Sequence, residues 1–370
     1  MTERRLTIGL SLSPTWLRGD AWRRQDSRVG GLADGSALIE AAVIADRAGI
    51  DAVFKPDSLA LDPVPLADWP GQTGPDPAIL LAAVARETRR IGLIPTYSAT
   101  FAPPYLVARE LQTLDQISGG RAAWNVVTSL AGAENLAAPE RTHEQRYADA
   151  ADVIDVVRAL HASYPAAAVR ADPSGVFADP SLLRTLEPRG RFAVRGPLTI
   201  PAAIDAPMPL LHAGGSHASI ELAASRADAV FAMTAAPGPG ITMRAELASR
   251  AEAHGRPAPR VLPGLVLCLA DDEAEAAALR RAAMRGGGGA GHWTVVGTPE
   301  SAVDEIARRW EAGAIDGFIA LPFGSWRSIE LLADAVVPRL VDLGLFLPHD
   351  GDVRGAFGIA AGSGVASSRQ

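Results

Sequence analysis

Two short strings in this chain hold residue types that could do chemistry at a spacing that brings them together. HEQRY, residues 143–147, is one residue away from HExxH, the pattern in which two histidines four apart on a helix bind zinc. Its fifth position is Tyr147, so the two-histidine face is missing and no metal is expected. His143 and Tyr147 are still four apart at the start of a helical stretch, hence on one face. They are either a solvated face or two hydrogen-bonding groups above a ligand. AGGSHAS, residues 213–219, offers another chemistry. An apolar run ends at His212, two glycines free the backbone, and a helix starts near Ser216. Exposed amides there, that of Gly215 among them, join the Ser216 hydroxyl in an anion site suited to phosphate. The plainer reading is a glycine-containing turn with a serine cap. The closing glycine of G-x-S-x-G is absent, which argues against a hydrolase nucleophile.

Four more polar residues stand at the ends of apolar runs: Asp57 after DAVFK, Thr96 and Ser98 closing a third run, and Asn125 late in a fourth. Each alone could be an ordinary cap or turn. With Ser216 they point to one rim. RGGGGAG, residues 285–291, contains GxGxxG but follows a helical stretch rather than a strand, and no Lys follows for a phosphate loop. It reads as a flexible lid or linker.

Positioning such a rim needs a scaffold, and the hydrophobic pattern supplies one. Short apolar runs alternate with Ala/Leu/Arg/Glu stretches of helical period from end to end. Strands are expected at 6–12, 51–55, 91–97, 121–127, 208–213, 228–233, 261–269 and 317–321, each followed by a helix, with an extra helix at 299–313. Eight such units predict an α/β fold, a (β/α)8 TIM barrel, whose active site lies at the C-terminal ends of the strands. Residues 164–207 are rich in Pro, Gly and Arg and too long for a plain connection. They and residues 285–298 are expected as insertions covering the C-terminal mouth, with RFAVRGPL forming a small surface strand. A single domain is expected over 1–358, with a disordered tail at 359–370.

The composition fits one large core: 48% of the 370 residues are apolar and 21% are charged. The net charge is −7, and the arginines are scattered among acids, so no basic stripe for nucleic acid is present. A single Cys, Cys268, excludes an internal disulfide. The N-terminal apolar run, Leu6 to Leu12, is too short for a signal core, and no run approaches a membrane span, so a cytoplasmic protein is expected. Lys55, the sole lysine, is either a rim cation or an outward end-of-strand residue.

Read in order, DAVFKPDSLA, the block from IGLIPTYSATF to SGGRAAWNVVTS, HEQRYADAADVIDVVRAL, GRFAVRGPLTIP, HAGGS and VGTPESAVDEIARRWEAGAIDGF resemble the luciferase-like flavin monooxygenases. Within them the chain is similar to the nitrilotriacetate, dibenzothiophene-sulfone and long-chain-alkane branch, over nearly its whole length. The resemblance implies a TIM barrel that takes reduced FMN from a separate NAD(P)H-dependent flavin reductase, binds O2, and puts one oxygen atom into a small organic substrate. It implies FMN contacts at Asp57, Thr96, Asn125, His143, Tyr147, Gly215 and Ser216. His143 is also a candidate proton donor. A homodimer or homotetramer is expected. Relatives commonly carry a longer lid where this chain has its glycine run. The alternatives are hydride transfer with deazaflavin F420 on the same fold, or a non-catalytic flavin-binding protein.

Overall fold

A computed structural model describes residues 5–128, 131–136, 141–187, 191–285, 291–348 and 352–359. Eight parallel strands close a barrel: β1 (Thr7–Ser11), β2 (Ala52–Lys55), β3 (Gly92–Ser98), β4 (Trp124–Val127), β5 (Leu210–Ala213), β6 (Ala229–Ala232) and β7 (Arg260–Leu269), then β9 (Gly317–Pro322), which pairs with both β7 and β1. A further strand, β8 (Trp293–Gly297), was not anticipated. It pairs in parallel with the upper part of β7, Leu265–Leu269, outside the closed ring. Residues 293–297 are therefore strand, where a loop over 285–298 was expected. Residues 286–290, Gly286 to Ala290, and the tail at 360–370 lie outside the described residues.

Alternation along each strand divides two cores. Ala52, Phe54, Ile94, Ala123, Leu211, Ala229, Leu262 and Ile319 fill the lumen. Their neighbours Ile8, Leu10 and Val53, or Trp124, Val126 and Leu210, pack outward under the helices. These helices are α1 (Ser36–Ala48), α2 (Pro77–Glu87), α3 (Pro104–Ser118), α4 (His143–His161), α5 (His217–Arg226), α6 (Pro237–Ala253), α7 (Glu273–Ala283) and α8 (Pro299–Glu311). After β9, α9 (Arg327–Leu331) passes through a π-helical turn into α10 (Val337–Asp342). The last helix, α11 (Val353–Ala356), plugs the N-terminal end of the lumen with Val353, Ala356 and Phe357, and Thr7 donates its hydroxyl to the Ala356 carbonyl at 2.9 Å.

One local device recurs at the strand bases. Asp51, Asp228 and Asp316 precede β2, β6 and β9, and each accepts the amide of a neighbouring strand: Ile8 at 2.8 Å, Leu210 at 2.9 Å and Val261 at 3.0 Å. This is what the strings DAVF, DAVF and DGFI encode. The acid fixes the register at the base, and the inward residues of each strand then fall at set heights.

Residues 164–187 and 191–207 do not cover the mouth. Leu186, Phe192, Val194 and Leu198 pack on the outer core shared by α3 and α4. Gln112 and Gln116 of α3 donate to the carbonyls of Ile200, Pro201 and Ala202. The segment is outer wall because its apolar residues find their burial there. RFAVRGPL forms no regular strand. The roof over the mouth comes instead from the loops after β1 and β2, where the Trp22 indole donates to the Asp68 carbonyl at 3.0 Å and Arg23 approaches the Asp68 carboxylate at 3.6 Å.

Candidate active site

At the upper ends of β3 and β4, Thr96 and Asn125 are register partners on the lumen face, above Ile94 and Ala123. Both are buried, and the Asn125 amide donates to the Thr96 hydroxyl at 2.9 Å. Its carbonyl oxygen, equally buried, has no partner among the described residues. A buried amide group left unsatisfied costs about 1–3 kcal/mol, so its presence asks for a ligand.

Next to this pair a second group assembles around β5. Leu211 enters the lumen, so His212 turns outward beneath α4 and α5. Its Nδ1 donates to the Val126 carbonyl at 2.9 Å, and its Nε2 accepts from the Ser219 hydroxyl at 2.9 Å. That fixes one neutral tautomer, and burial holds the ring's pKa below the ordinary histidine range. Tyr147 meets His212 edge-on at 6.1 Å between centroids, and His143 lies 4.9 Å from Tyr147. The Thr142–Gln145 capping box starts α4 so that His143 occupies its first position. The shared face expected for HEQRY is thus formed, with His143 exposed and Tyr147 half-buried.

Ser216 caps α5, its hydroxyl oxygen accepting the Ser219 amide at 3.2 Å, and its own proton stays free to donate. Gly214 is required by geometry: its φ is +152°, and a Cβ would sit 2.3 Å from the Ser219 hydroxyl. At Gly215 a Cβ would meet only the Met243 methyl at 4.0 Å, so the glycine there leaves an open approach to the amides at the helix start. His143, Tyr147, Gly215 and Ser216 are brought together around the His212–Ser219 bond. Thr96 and Asn125 form a second pair on the lumen side. Asp57 stands apart, exposed above β2, with desolvation pushing its carboxyl above the usual range and Lys55 pulling it back. Lys55 alternates with the inward Phe54, so it faces away from the lumen, where its ammonium donates to the Pro56 carbonyl at 2.8 Å. It is an end-of-strand residue and not a cation of the mouth.

Sequence reasoning missed a third part. A cavity of about 360 Å³ opens at the mouth, lined among others by Ser11, Arg18, Phe54, Phe231, His292 and Phe323. Phe54 and Phe231 lie 5.5 Å apart, and His292 lies 5.8 Å from Phe231. The His292 Nδ1 is buried without a partner among the described residues, and desolvation lowers the ring's pKa. Phe54 and Phe231 hold the same place in the two DAVF strings, so alternation alone could have turned them inward. His292 follows the glycine run and carries no periodic signal. A larger cavity, about 650 Å³, lies at the opposite end of the barrel. Its charges satisfy one another, Arg354 with Asp115 at 3.2 Å and Arg256 with Asp228 at 3.1 Å, and barrels do their chemistry at the other end.

Among the described residues no cluster of three His, Cys, Asp or Glu could hold a metal, and no helix is long and apolar enough to cross a membrane. The profile of the luciferase-like monooxygenases matches residues 18–317. The dibenzothiophene-sulfone monooxygenase of Rhodococcus erythropolis is 30% identical, covering 88% of this chain and 89% of its own. Nitrilotriacetate monooxygenase component A of Aminobacter aminovorans is 29% identical over 73% of this chain and 75% of its own. Among solved structures, the EDTA monooxygenase of Chelativorans sp. BNC1 superposes with a TM-score of 0.85 at 25% identity, covering 97% of this chain and 99% of the other. A closed eight-stranded barrel, a polar rim at its C-terminal end and a family match over most of the length make this chain a member of the luciferase-like monooxygenase family, in the branch of these enzymes.

Proposed function

We propose that the chain is the oxygenating component of a two-component FMN-dependent monooxygenase, receiving reduced FMN from a separate NAD(P)H-dependent flavin reductase and oxygenating a small organic substrate with O2. The observation that carries this reading is the unpartnered carbonyl of Asn125 on β4, with the open amides at the start of α5 following the adjacent strand β5. Those groups have the chemistry that FMN demands. The start of α5, with the Gly215 amide and the Ser216 hydroxyl, suits a phosphate dianion. Tyr147 and His143 offer donors toward phosphate or ribityl oxygens. Thr96 and Asn125 present a donor and an acceptor to the polar edge of a ring system, with Asp57 at the rim above β2.

Bound reduced flavin supplies the electrons and the centre at which O2 is activated. The chain's own part is to bind, orient and exclude water. Phe54, Phe231 and Phe323 keep the lumen side apolar, and the clasped loops after β1 and β2 roof it. His143 is assigned the proton-donor role, and the His143→Ala variant checks it: unchanged oxygen consumption and product yield would remove that role.

The decisive experiment supplies the purified chain with reduced FMN or reduced F420 and follows oxygen consumption across a panel of small organic substrates, with a flavin reductase and NADH present. Binding of reduced FMN and substrate-dependent oxygen uptake are expected. Binding of reduced F420 alone would favour hydride transfer. Tight FMN binding with no substrate-dependent uptake would favour a flavin-binding protein.

A further inference from the structure

Among the described residues that line the mouth cavity there is one permanent cation, Arg18, and it is unspent. Its backbone bonds to Thr15 and Ala21, but among the described residues its guanidinium makes no hydrogen bond and no carboxylate lies within ion-pair distance of it. The acid two residues along, Asp20, is turned toward Arg23 and Arg285. The contrast with Arg121 is instructive: it too lacks an acid, yet it donates to Ser118, Ala85, Ile91 and twice to Thr88. Arg18 is positioned by its face alone, stacked 4.4 Å over the Trp69 ring. Stacking holds the plane of a guanidinium and leaves its in-plane N–H fork free. No acid is among the described residues that line the cavity, and the other titratable group there, His292, is held toward its neutral form by desolvation. Phe54, Phe231 and Phe323 share the lining with Arg18.

We propose that Arg18 sets the substrate class: it receives the carboxylate or sulfonate of a compact organic acid whose apolar body lies against Phe54, Phe231 and Phe323. The cavity's volume of about 360 Å³ limits that body, since ligand sites run from about 300 to 1,000 Å³. A guanidinium fork matches the two oxygens of a carboxylate, or two of a sulfonate's three, and a charge-assisted pair under a roof is worth more than one in water. The assignment rests on reading this mouth as the place where substrate meets flavin.

Equilibrium binding of benzoate and naphthoate, each against its neutral amide, to the full chain with and without FMN tests it. The acids are expected to bind about tenfold more tightly than the amides, as one charge-assisted bond provides. Arg18→Met should abolish that preference, Arg18→Lys should keep part of it, and FMN affinity should not change in either. Should the Met variant fail to fold, Arg18→Gln, a flat polar group able to lie on Trp69, carries the comparison. Equal binding of acids and amides to the unaltered chain would overturn the proposal. So would an equal loss of both in Arg18→Met, which would make Arg18 a packing residue for Trp69. Loss of FMN binding by the unaltered chain would strike the cofactor reading instead, while the acid preference without FMN still reports on Arg18.

Discussion

Asn125→Val separates a binding residue from a core residue. The unpartnered carbonyl costs the ligand-free chain about 1–3 kcal/mol, and the bond to Thr96 returns about 1 kcal/mol. Valine is similar in size, suits a strand interior and removes both terms, leaving the Thr96 hydroxyl alone. The ligand-free variant should therefore unfold in urea within about 1 kcal/mol of the parent in either direction. With FMN the balance reverses. Losing one neutral hydrogen bond weakens binding by about 0.5–1.5 kcal/mol, or roughly 2- to 12-fold. The two measurements check each other through linkage: FMN at about 100 times the parent's Kd adds about 2.7 kcal/mol to the parent, but about 1.4 kcal/mol to a variant that binds tenfold more weakly. Urea unfolding with and without FMN, beside a fluorescence titration, supplies every number. A variant destabilised by more than about 2 kcal/mol with unchanged FMN affinity would refute the reasoning and return Asn125 to the core.

Gly214→Ala should cost about 2–4 kcal/mol, because φ is +152° and the new Cβ lands 2.3 Å from the Ser219 hydroxyl that holds His212. Gly215→Ala has room, so its melting temperature should barely move while its preference for FMN over riboflavin falls; equal losses of both flavins would separate Gly215 from phosphate. The Nε2–H of the partly buried His161 donates to the Ala108 carbonyl at 3.0 Å, and desolvation pulls the ring's pKa down to about 4. Its folded value lies below its unfolded one, so its stabilising effect is complete above about pH 6.5 and is lost as pH falls toward 4. That loss is at most about 3 kcal/mol, and His161→Gln should flatten the corresponding slope in urea unfolding between pH 7 and 4.

The barrel was legible because its signals are local. Each DAVF or DGFI string carries an acid that ties down a neighbouring amide, then an alternation that sends one residue into the lumen and the next under a helix. The glycine turn into α5 was legible for the same reason, since the GGS string and the capping serine act within a few residues of each other. β8 was not, because it adds to β7 from outside the ring and follows a glycine run that carries no periodicity. The roof was misplaced by a composition argument. Pro and Gly in residues 164–207 look like a loop over a mouth, but a loop goes where its apolar residues find burial, and Phe192, Val194 and Leu198 find it on α3 and α4. The segments that do roof the mouth carry Trp22 and Trp69, whose meaning depends on a contact between two loops about 46 residues apart. The groups proposed to meet ligand share a property that no string can spell: the Asn125 carbonyl, the His292 Nδ1 and the Arg18 guanidinium each lack a hydrogen-bond partner among the described residues. One Arg among 34 is indistinguishable from the rest until the residues around it are in place and its guanidinium lines the cavity on the face of Trp69.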